Sequence, residues 1–285
     1  MADLAHRLLA THERRLALTV VALVAGLSVA SDGFLTLQNL FDLLTANAFP
    51  GILAAGLLVV LVAGGIDISF TAIASLAQYV AISAALAFGL GWVEVLALSL
   101  GVGLACGLAN AALIEGLKIP GIIATIATLN VFYGLLIVAT GGRYIETLPD
   151  WLARGIWWLE IGGGDLLPVA INLQILLLVF AFVVTWLLLE RTGLGRQLHA
   201  LGGNREAARR VGFDPMRLTL FAYGYMGAMA GLAALAQAQL AQSVAPTVLV
   251  GRELDVLAAV VLGGARLTGG VGTVSGTLLG LALLA

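Results

Sequence analysis

The residues that could do chemistry are charged groups set in an otherwise apolar chain. The largest group is basic and lies in residues 190–217, where six of the chain's 14 basic residues are opposed by only three acidic ones. Basic segments between apolar runs stay on the cytoplasmic side of a membrane. The segment therefore predicts a cytoplasmic loop, which either only orients the protein or also docks a partner.

Local signals within this basic segment favour docking. Gly202-Gly203-Asn204 is a sequence typical of a turn, and residues 205–211 predict one short helix. Asn204 is the expected N-cap of that helix, and Gly212 follows it as the expected C-cap.

Asp67 is a second chemical candidate, because a carboxylate between two long apolar runs is costly unless it serves a purpose. Gly64-Gly65 just before it predicts a broken helix, with Asp67 capping the helix that follows. A proton-carrying or catalytic Asp67 is the alternative. Gly263-Gly264 offers a similar break, and pairing residues 62–69 with 261–268 indicates either an internal duplication or a coincidence in a glycine-rich chain.

Uncharged polar residues inside the apolar runs form a third group. Amides and hydroxyls suit a pathway for a neutral, hydroxyl-rich solute, or else they form hydrogen bonds between helices. The whole set is Asn47, Gln78, Asn110, Thr125, Thr128, Asn130, Gln237 and Gln239. From it we select Asn47, Gln78, Asn130 and Gln237 as candidates for the solute pathway.

Enzyme motifs are missing from the sequence. The only lysine, Lys118, follows Leu117, so the Gly-Lys pair of an ATP-binding Walker A loop does not occur. The three histidines are isolated, there is no Gly-x-Ser-x-Gly, and the single Cys106 cannot form an intrachain disulfide. We therefore expect no catalytic residue, no metal site and no cofactor bound by this chain.

The composition is that of an integral membrane protein. The chain is 61% hydrophobic and 11% charged, with a mean hydropathy of +1.06, whereas soluble domains carry roughly 25% charged residues. The sequence contains no basic patch with interleaved aromatic residues, so it does not predict nucleic-acid binding. Glycines spaced by four predict close helix packing within one subunit. They are Gly103/Gly107, Gly227/Gly231 and Gly272/Gly276/Gly280.

The apolar runs predict an all-α polytopic protein with broken or re-entrant helices. A short interfacial helix is expected at 35–44, and a short amphipathic or half-membrane helix at 252–262. A run from 269 to 285 is shorter than the roughly 20 residues needed to cross. The expected spans are residues 16–30, 47–63, 70–88, 93–114, 120–140, 169–189 and 218–241.

Parity of these spans gives a consistent topology. A cytoplasmic N-terminus places Lys118 and residues 190–217 inside and the loop 141–168 outside, where its three tryptophans suit the interface. A cleaved signal peptide ending at Ser28-Val29-Ala30 is the alternative for the first run. We expect residues 1–285 to be one transmembrane domain that lacks its C-terminal helices, with about eight to ten spans in the full chain.

Three ordered blocks between residues 64 and 277 resemble the permease subunits of bacterial ABC importers for monosaccharides, the ribose/xylose/galactose type. The first block is Gly64-Gly65-Ile66-Asp67-Ile68-Ser69, and the second is residues 200–209, ALGGNREAAR. The third is residues 251–264, GRELDVLAAVVLGG, followed by GGVGTVSGT at 269–277. Phe70-Thr71 departs from the family pattern, and residues 118–120 and 141–149 are more similar to the rhamnose and autoinducer-uptake branch.

The resemblance implies a type II ABC importer fold in the bacterial inner membrane, surrounded by lipid. The partners it implies are a second permease copy or a sister permease, ABC ATPase subunits that bind ATP and magnesium, and a periplasmic solute-binding protein. It implies structural or gating roles for Gly64, Gly65, Asp67, Gly263 and Gly264. It also makes the basic loop an ATPase-coupling segment, formed by Gly202, Gly203, Asn204, Arg205, Glu206, Ala207, Ala208 and Gly212. An ion- or proton-coupled secondary transporter that uses Asp67 is the alternative function.

Overall fold

The structure is a computed structural model of the 285-residue chain, and it describes residues 11–154, 157–161 and 169–285. Apart from one short hairpin, the described elements are helices, in agreement with the predicted all-α membrane fold. In chain order they are α1 (His12–Ala30), α2 (Leu37–Ala46), α3 (Ala48–Val62), α4 (Phe70–Phe88), α5 (Trp92–Leu117), α6 (Gly121–Thr140), α7 (Asp150–Ala153), β1 (Trp157–Ile161), β2 (Val169–Asn172), α8 (Leu173–Trp186), a π-helical turn (Leu187–Arg191), α9 (Gly193–Gly203), α10 (Arg205–Arg210), α11 (Pro215–Ala241), α12 (Glu253–Leu262) and α13 (Val274–Leu284).

Five of these helices, α4, α5, α6, α11 and the continuous helix formed by α8 and its π-helical turn, are long and apolar enough to cross a membrane. A sixth span results if α2 and α3, which are bent by 53° at Asn47, are counted together. The expected first span, 16–30, lies in α1, which is not among the five. Glu13, Arg14 and Arg15 occupy its first turn. The short α13 packs against α1.

Helix α3 lies at the centre of the bundle. Every residue of it except Pro50 is buried, and it packs against α8, α11, α12 and α13. A helix that is apolar on all sides belongs in such a position. The outer helices instead expose large apolar side chains, such as Ile123 and Val138 of α6 and Phe180 of α8, as lipid-facing surfaces do.

Glycine allows α5 and α11 to pack with backbone against backbone. A Cβ added to Gly103 would lie 2.1 Å from the carbonyl oxygen of Gly227, and one added to Gly231 would lie 2.3 Å from that of Ser99. Gly276 and Gly280 pack in the same way on α12, where an added Cβ would lie 2.0 Å from a carbonyl oxygen. The predicted role of the four-residue glycine spacing is confirmed for Gly103/Gly107, Gly227/Gly231 and Gly276/Gly280. It is wrong for Gly272, which precedes α13 and lies against the side chains of Leu58, Val62 and Ala265.

The predicted span 169–189 is wrong at its start. Residues Val169–Asn172 form strand β2, which pairs antiparallel with β1. The Asn172 side chain accepts a hydrogen bond from the Ile175 backbone N–H at 2.9 Å. This cap fixes the start of α8 at Leu173. Of the expected loop 141–168, residues 155–156 and 162–168 lie outside the described part.

The basic segment is more helical than expected. Gly202 and Gly203 were predicted to form a turn, but they are the last residues of α9. Thr192 caps the start of α9, accepting from the Gly195 N–H at 3.1 Å. Leu194, Leu198 and Leu201 then recur at the spacing of one helix face, and the last two are buried. This apolar stripe holds the segment against the bundle as a helix.

Both predicted helix breaks are present. Gly64 ends α3 with φ +83°, and Gly264 follows α12 with φ +96°. In each break the next N–H bonds back to the helix, Gly65 to Val60 at 3.0 Å and Ala265 to Val260 at 3.2 Å. Gly64 therefore corresponds to Gly264, and the pairing of Gly64 with Gly263 was wrong by one residue.

Contacts sort the connections into two ends of the bundle. At the end here called the basic end, His12 Nε2 lies 2.9 Å from the Leu262 carbonyl oxygen, and the Gly270 N–H donates to the Val62 carbonyl at 3.0 Å. At the opposite end, Ile145 pairs with Val244, and the Trp151 indole donates to the Leu90 carbonyl at 3.1 Å. This grouping matches the parity deduced from the sequence.

The glycine packing of α5 can be tested by two matched alanine substitutions. Gly103→Ala forces a methyl group against the α11 backbone, whereas a Cβ on Gly101 of the same helix meets nothing within 4 Å. We expect Gly103→Ala to cost about 1–3 kcal/mol of stability and to lower the melting temperature of the detergent-purified protein. Gly101→Ala should not lower it. Equal melting temperatures for the two variants would contradict the backbone-on-backbone packing.

Candidate functional site

Three chain segments meet at the basic end with almost no side chain between them. A Cβ added to Gly202 would lie 2.0 Å from the Val62 carbonyl oxygen and 2.6 Å from the Gly270 nitrogen. A Cβ on Gly269 would lie 2.6 Å from the Gly64 Cα. We call Gly64, Gly202, Gly269 and Gly270 the glycine junction. It joins the end of α9 to the break after α3 and to the connection between α12 and α13.

Helix α10 begins at Arg205, three residues beyond Gly202, and it is anchored on its inner face. The Asn204 side chain accepts from the Ala207 N–H at 2.9 Å, as predicted for the N-cap. Ala208 is buried, and Arg205 Nη2 donates to both carboxylate oxygens of Glu115 at 2.7 Å. Since Glu115 lies on α5, this pair ties α10 to a spanning helix.

The end of α10 also follows the sequence prediction. Gly212 adopts φ +90°, and the Phe213 N–H returns to the Ala208 carbonyl at 3.1 Å, which is the usual way a glycine ends a helix.

The outer face of α10 is open to solvent. Glu206, Arg209 and Arg210 are exposed and carry charge, and Val211 and Met216 beside them are 69% and 54% exposed. A surface of mixed charge and exposed apolar side chains on an anchored helix is suited to docking another protein.

Asp67 lies in the connection between α3 and α4, outside the spanning helices, and is 1% exposed. Its Oδ1 accepts from the N–H and from the hydroxyl of Ser69, both at 2.7 Å. The Asn110 amide donates to the same hydroxyl at 2.7 Å. Asp67 therefore binds the residue just before α4 rather than the first turn of the helix. Burial raises the pKa of its carboxyl to about 6, although the Ser69 and Asn110 hydrogen bonds act in the opposite direction.

The rest of this connection is held by side chains of two spanning helices. The Tyr223 hydroxyl of α11 donates to the Ile66 carbonyl at 3.2 Å, and Thr125 of α6 accepts from the Ile68 N–H at 3.2 Å. The connection is thus fixed on both sides of Asp67, next to the glycine junction.

The four pathway candidates do not form one site. Asn47 is at the bend between α2 and α3 and lines a cavity of about 370 Å³ with Arg252 and Asp255. Gln78 is fully buried, and neither of its amide atoms has a hydrogen-bond partner; Gln237 is buried, with its Oε1 unpartnered. Asn130 lies on an exposed face of α6 and donates to its own helix at Ile126.

Two site residues were not singled out from the sequence. Glu253 is 7% exposed at the start of α12, where Thr71 donates to it at 2.5 Å. In the sequence analysis Glu253 appears only as part of a motif. It adjoins an apolar run just as Asp67 does, and the same criterion would have identified it. Tyr223 gave no signal, because a tyrosine in a long apolar helix is ordinary.

Within the described residues, no group of three or more His, Cys, Asp or Glu side chains is arranged to hold a metal ion. The site is instead a mechanical junction at one end of a multi-pass bundle. The fold and site together define a polytopic membrane permease.

The family is shown by comparison with known proteins. The family model described as "Branched-chain amino acid transport system / permease component" matches residues 39–285, and the chain belongs to this family. No solved structure matches the chain.

Curated relatives carry names from both branches that the sequence motifs indicated. The chain is 31% identical to the ribose import permease protein RbsC of Escherichia coli strain K12, covering 95% of this chain and 83% of that protein. It is 36% identical to RbsC of Bacillus subtilis strain 168, covering 92% and 79%. It is 33% identical to the autoinducer 2 import system permease protein LsrC of Photorhabdus luminescens, covering 92% and 77%. The relatives are permease proteins rather than enzymes, and the predicted resemblance is confirmed.

The buried Asp67 predicts a pH-dependent stability difference. An aspartate with a raised pKa binds more protons in the folded than in the unfolded state between pH about 4 and about 6. Its contribution to stability therefore falls as the pH rises through that window, and the loss remains above it. Asp67→Asn keeps an oxygen to accept both Ser69 hydrogen bonds and does not ionise. We expect its melting temperature, relative to wild type, to rise by several degrees between pH 4.5 and 7.5.

The control for this measurement is Asp42→Asn, because Asp42 is exposed on α2. Its melting temperature relative to wild type should not change over the same pH range. A difference for Asp67→Asn that is also independent of pH would show that the carboxyl is not perturbed by burial.

Proposed function

We propose that the chain is the membrane-spanning subunit of an ATP-driven importer for a monosaccharide or a similar small neutral solute. The observation that carries this proposal is the glycine junction, because it joins an exposed docking helix directly to two helix breaks inside the bundle. ATP binding and hydrolysis, with magnesium, belong to separate ABC ATPase subunits. A second permease copy or a sister permease, and a periplasmic solute-binding protein, complete the importer.

The basic end is the cytoplasmic end in this proposal. The arginines of residues 190–217 support that orientation, and His12 at the start of α1 contacts the same end. The described N-terminal region is then cytoplasmic, and the two connections that pair through Ile145 and Val244 face the periplasm. The ATPase reaches α10 from the cytoplasm, while the binding protein delivers solute at the opposite end.

Coupling would work by rigid-body movement. When the ATPase closes on ATP, it pulls on α10, and Gly202 moves with α10 because only one residue separates it from Asn204. The contacts of Gly202 with Val62 and Gly270 transmit this movement to the ends of α3 and α12. A partner shifts a conformational equilibrium only through contacts that differ between the two states, and the exposed face of α10 provides such contacts.

The solute class follows from the names of the relatives and from the chemistry of the interior. Buried amides and hydroxyls, such as Gln78 and Gln237, are uncharged, so they suit a solute that carries hydroxyl groups and no charge. Ribose and autoinducer 2, which the names of the relatives mention, belong to the small solutes that the proposal covers.

An ion- or proton-coupled transporter that uses Asp67 is the second candidate, and the buried carboxyl is the observation in its favour. The hydrogen bonds of Asp67 are all directed to Ser69 at the start of α4. This arrangement supports a structural role for the Asp67 carboxylate rather than a role in ion transport. We therefore propose the ATP-driven importer.

Charge reversal on α10 tests the docking surface. Glu206 is exposed, and among the residues that the structure describes it pairs with Arg210, at 3.7 Å, one turn away on its own helix. We expect Glu206→Arg to remove at least about 90% of the ABC ATPase that co-purifies with wild type, since a like charge in an interface costs several kcal/mol. The matched control is Asp150→Arg at the opposite end, where the pair with Arg154 has the same spacing; it should retain the ATPase.

A wild-type chain that binds no ATPase, yet takes up solute in response to a proton or sodium gradient, would overturn the ATP-driven proposal. Uptake that survives collapse of the ion gradients but stops on ATP depletion would support it.

Alanine substitutions at two adjacent glycines test whether the junction transmits movement from α10 to the bundle, separately from whether α10 binds the ATPase. Gly202→Ala places a methyl group into the Val62 carbonyl, whereas a Cβ on Gly203 meets nothing within 4 Å. We expect Gly202→Ala to keep the ATPase bound but to lower solute uptake at least about tenfold relative to ATP hydrolysis, because the junction must shift to admit the methyl group. Gly203→Ala should behave as wild type. The ratio of uptake to hydrolysis in proteoliposomes is the measurement, and an unchanged ratio in Gly202→Ala would contradict transmission through the junction.

A further inference from the structure

Polar side chains from three helices meet in the interior, away from the glycine junction. Thr71 donates a hydrogen bond to Glu253 Oε1 at 2.5 Å. The Tyr133 hydroxyl of α6 lies beside Thr71 and Ser75, and it is close enough to Glu253 to interact with it electrostatically. Gln78 follows Thr71 and Ser75 at the spacing of one helix face on α4. We call Thr71, Ser75, Gln78, Tyr133 and Glu253 the polar cluster.

The polar cluster lies near the middle of the bundle. Tyr133 is 12 residues beyond Gly121, the first residue of α6, which corresponds to about 18 Å of helix. Glu253 is separated from Leu262 by the length of α12, about 15 Å. Gly121 and Leu262 both contact the basic end, through Tyr223 and His12. In a membrane core about 30 Å thick, Tyr133 and Glu253 are therefore about halfway across, and Thr71 meets Glu253 from the first turn of α4.

The hydrogen-bonding capacity of the cluster is largely unused. Thr71, Ser75 and Gln78 are 0% exposed, Glu253 is 7% exposed and Tyr133 is 8% exposed. The Ser75 and Tyr133 hydroxyls and both amide atoms of Gln78 make no hydrogen bond of good geometry. Buried polar groups are nearly always hydrogen-bonded, because leaving them unpaired is costly. A purely structural cluster would pair its members with each other.

The chemistry of the cluster fits a neutral molecule rich in hydroxyl groups. The carboxyl oxygens of Glu253 accept hydrogen bonds, the Gln78 amide both donates and accepts, and the three hydroxyls can do either. Sugar hydroxyls also donate and accept. Glu253 forms no salt bridge with the described residues, and the cluster contains no cationic side chain that would favour an anionic solute.

We propose that the polar cluster is the solute-contact site of the permease, which is closed in this structure and takes a neutral polyhydroxylated solute when α4 and α12 separate. The inference rests on the proposed function. Asn47, whose cavity with Arg252 and Asp255 lies at the start of α12, is the approach to this site from the opposite end.

Thiol accessibility tests the proposal with minimal change to the side chains. Ser75→Cys replaces one oxygen by sulfur, and Ser99→Cys is the matched control. Ser99 is also 0% exposed, but it lies in the α5–α11 contact, where its hydroxyl donates to Gly231 at 2.7 Å. Both variants are made in a Cys106→Ser background, which removes the chain's only cysteine. The complete importer in proteoliposomes is treated with a small water-soluble methanethiosulfonate reagent, with and without ATP.

Uptake of D-ribose, D-xylose, D-galactose and L-rhamnose is measured in the same vesicles. We expect ATP turnover to increase the reaction rate of Ser75→Cys at least about tenfold, because only a solvent-accessible thiol reacts. The transported sugar should slow this reaction, and Ser99→Cys should remain unreactive.

The outcomes separate the two proposals. Sugar uptake that depends on ATP, with Ser75→Cys no more reactive than Ser99→Cys, would overturn the solute-contact site and leave the importer intact. Protection of Ser75→Cys by sodium ions and not by sugar would assign the cluster to a cation and also overturn it. Sugar uptake that does not depend on ATP would instead overturn the proposed function.

A second variant gives a readout that does not require labelling. Glu253→Gln retains an oxygen to accept the Thr71 hydrogen bond and replaces the carboxyl group by an amide. We expect it to lower sugar uptake at least about tenfold without loss of the co-purifying ATPase. Gln174→Leu is the control, because Gln174 is a buried amide with an unpartnered Oε1 on α8. Equal uptake by Glu253→Gln and Gln174→Leu would contradict a role of Glu253 in solute contact.

Discussion

At the basic end, backbone contacts backbone, and the rest of the architecture depends on that contact. Gly202 approaches Val62 and Gly270 so closely that one methyl group would separate them. Interfaces of this kind are stiff, because no flexible side chain can absorb a displacement. A force applied to α10 is therefore passed to α3 and to the connection after α12 with little loss.

The same principle organises the spanning helices and divides the bundle into parts. Glycines allow α5 to pack closely on α11 and α13 to pack closely on α12. We therefore expect each pair to move as a unit. In contrast, α4 meets α12 through the hydrogen bond between Thr71 and Glu253. Close glycine packing is difficult to open, whereas a polar contact that water or a solute can replace is easier to open. The rigid contacts are thus those of the glycine-packed helix pairs, whereas the contact that can open lies elsewhere, between α4 and α12.

Much of this arrangement could be predicted from the sequence, because apolar runs and glycine pairs are local signals. The α4 span and both helix breaks are where the pattern indicated, and Asn204 caps α10. Two predictions of helix ends were wrong, the turn at Gly202 and the start of the span at residue 169, because hydropathy and glycine content do not show where a helix is capped. Thr192 and the leucines after it extend a helix through Gly202, and Asn172 starts α8 after a strand. The glycine junction itself depends on residues far apart in sequence, and no single-sequence pattern brings Gly64 to Gly202 and Gly269.

Two buried carboxylates show how similar residues acquire different roles from their surroundings. Both Asp67 and Glu253 adjoin apolar runs and are almost completely buried. The bonded oxygen of Asp67 is directed at Ser69 in its own connection, and Tyr223 and Thr125 fix the chain on either side. Glu253 instead faces hydroxyls of other helices, several without partners. The Oδ1 of Asp67 ties Ser69 into the connection beside the junction, although its Oδ2 has no hydrogen-bond partner. Glu253 lies among hydroxyls of other helices, and the unpaired ones retain capacity for a passing solute. The location of the neighbouring groups, rather than the burial that the two carboxyls share, separates a structural acid from one suited to transport.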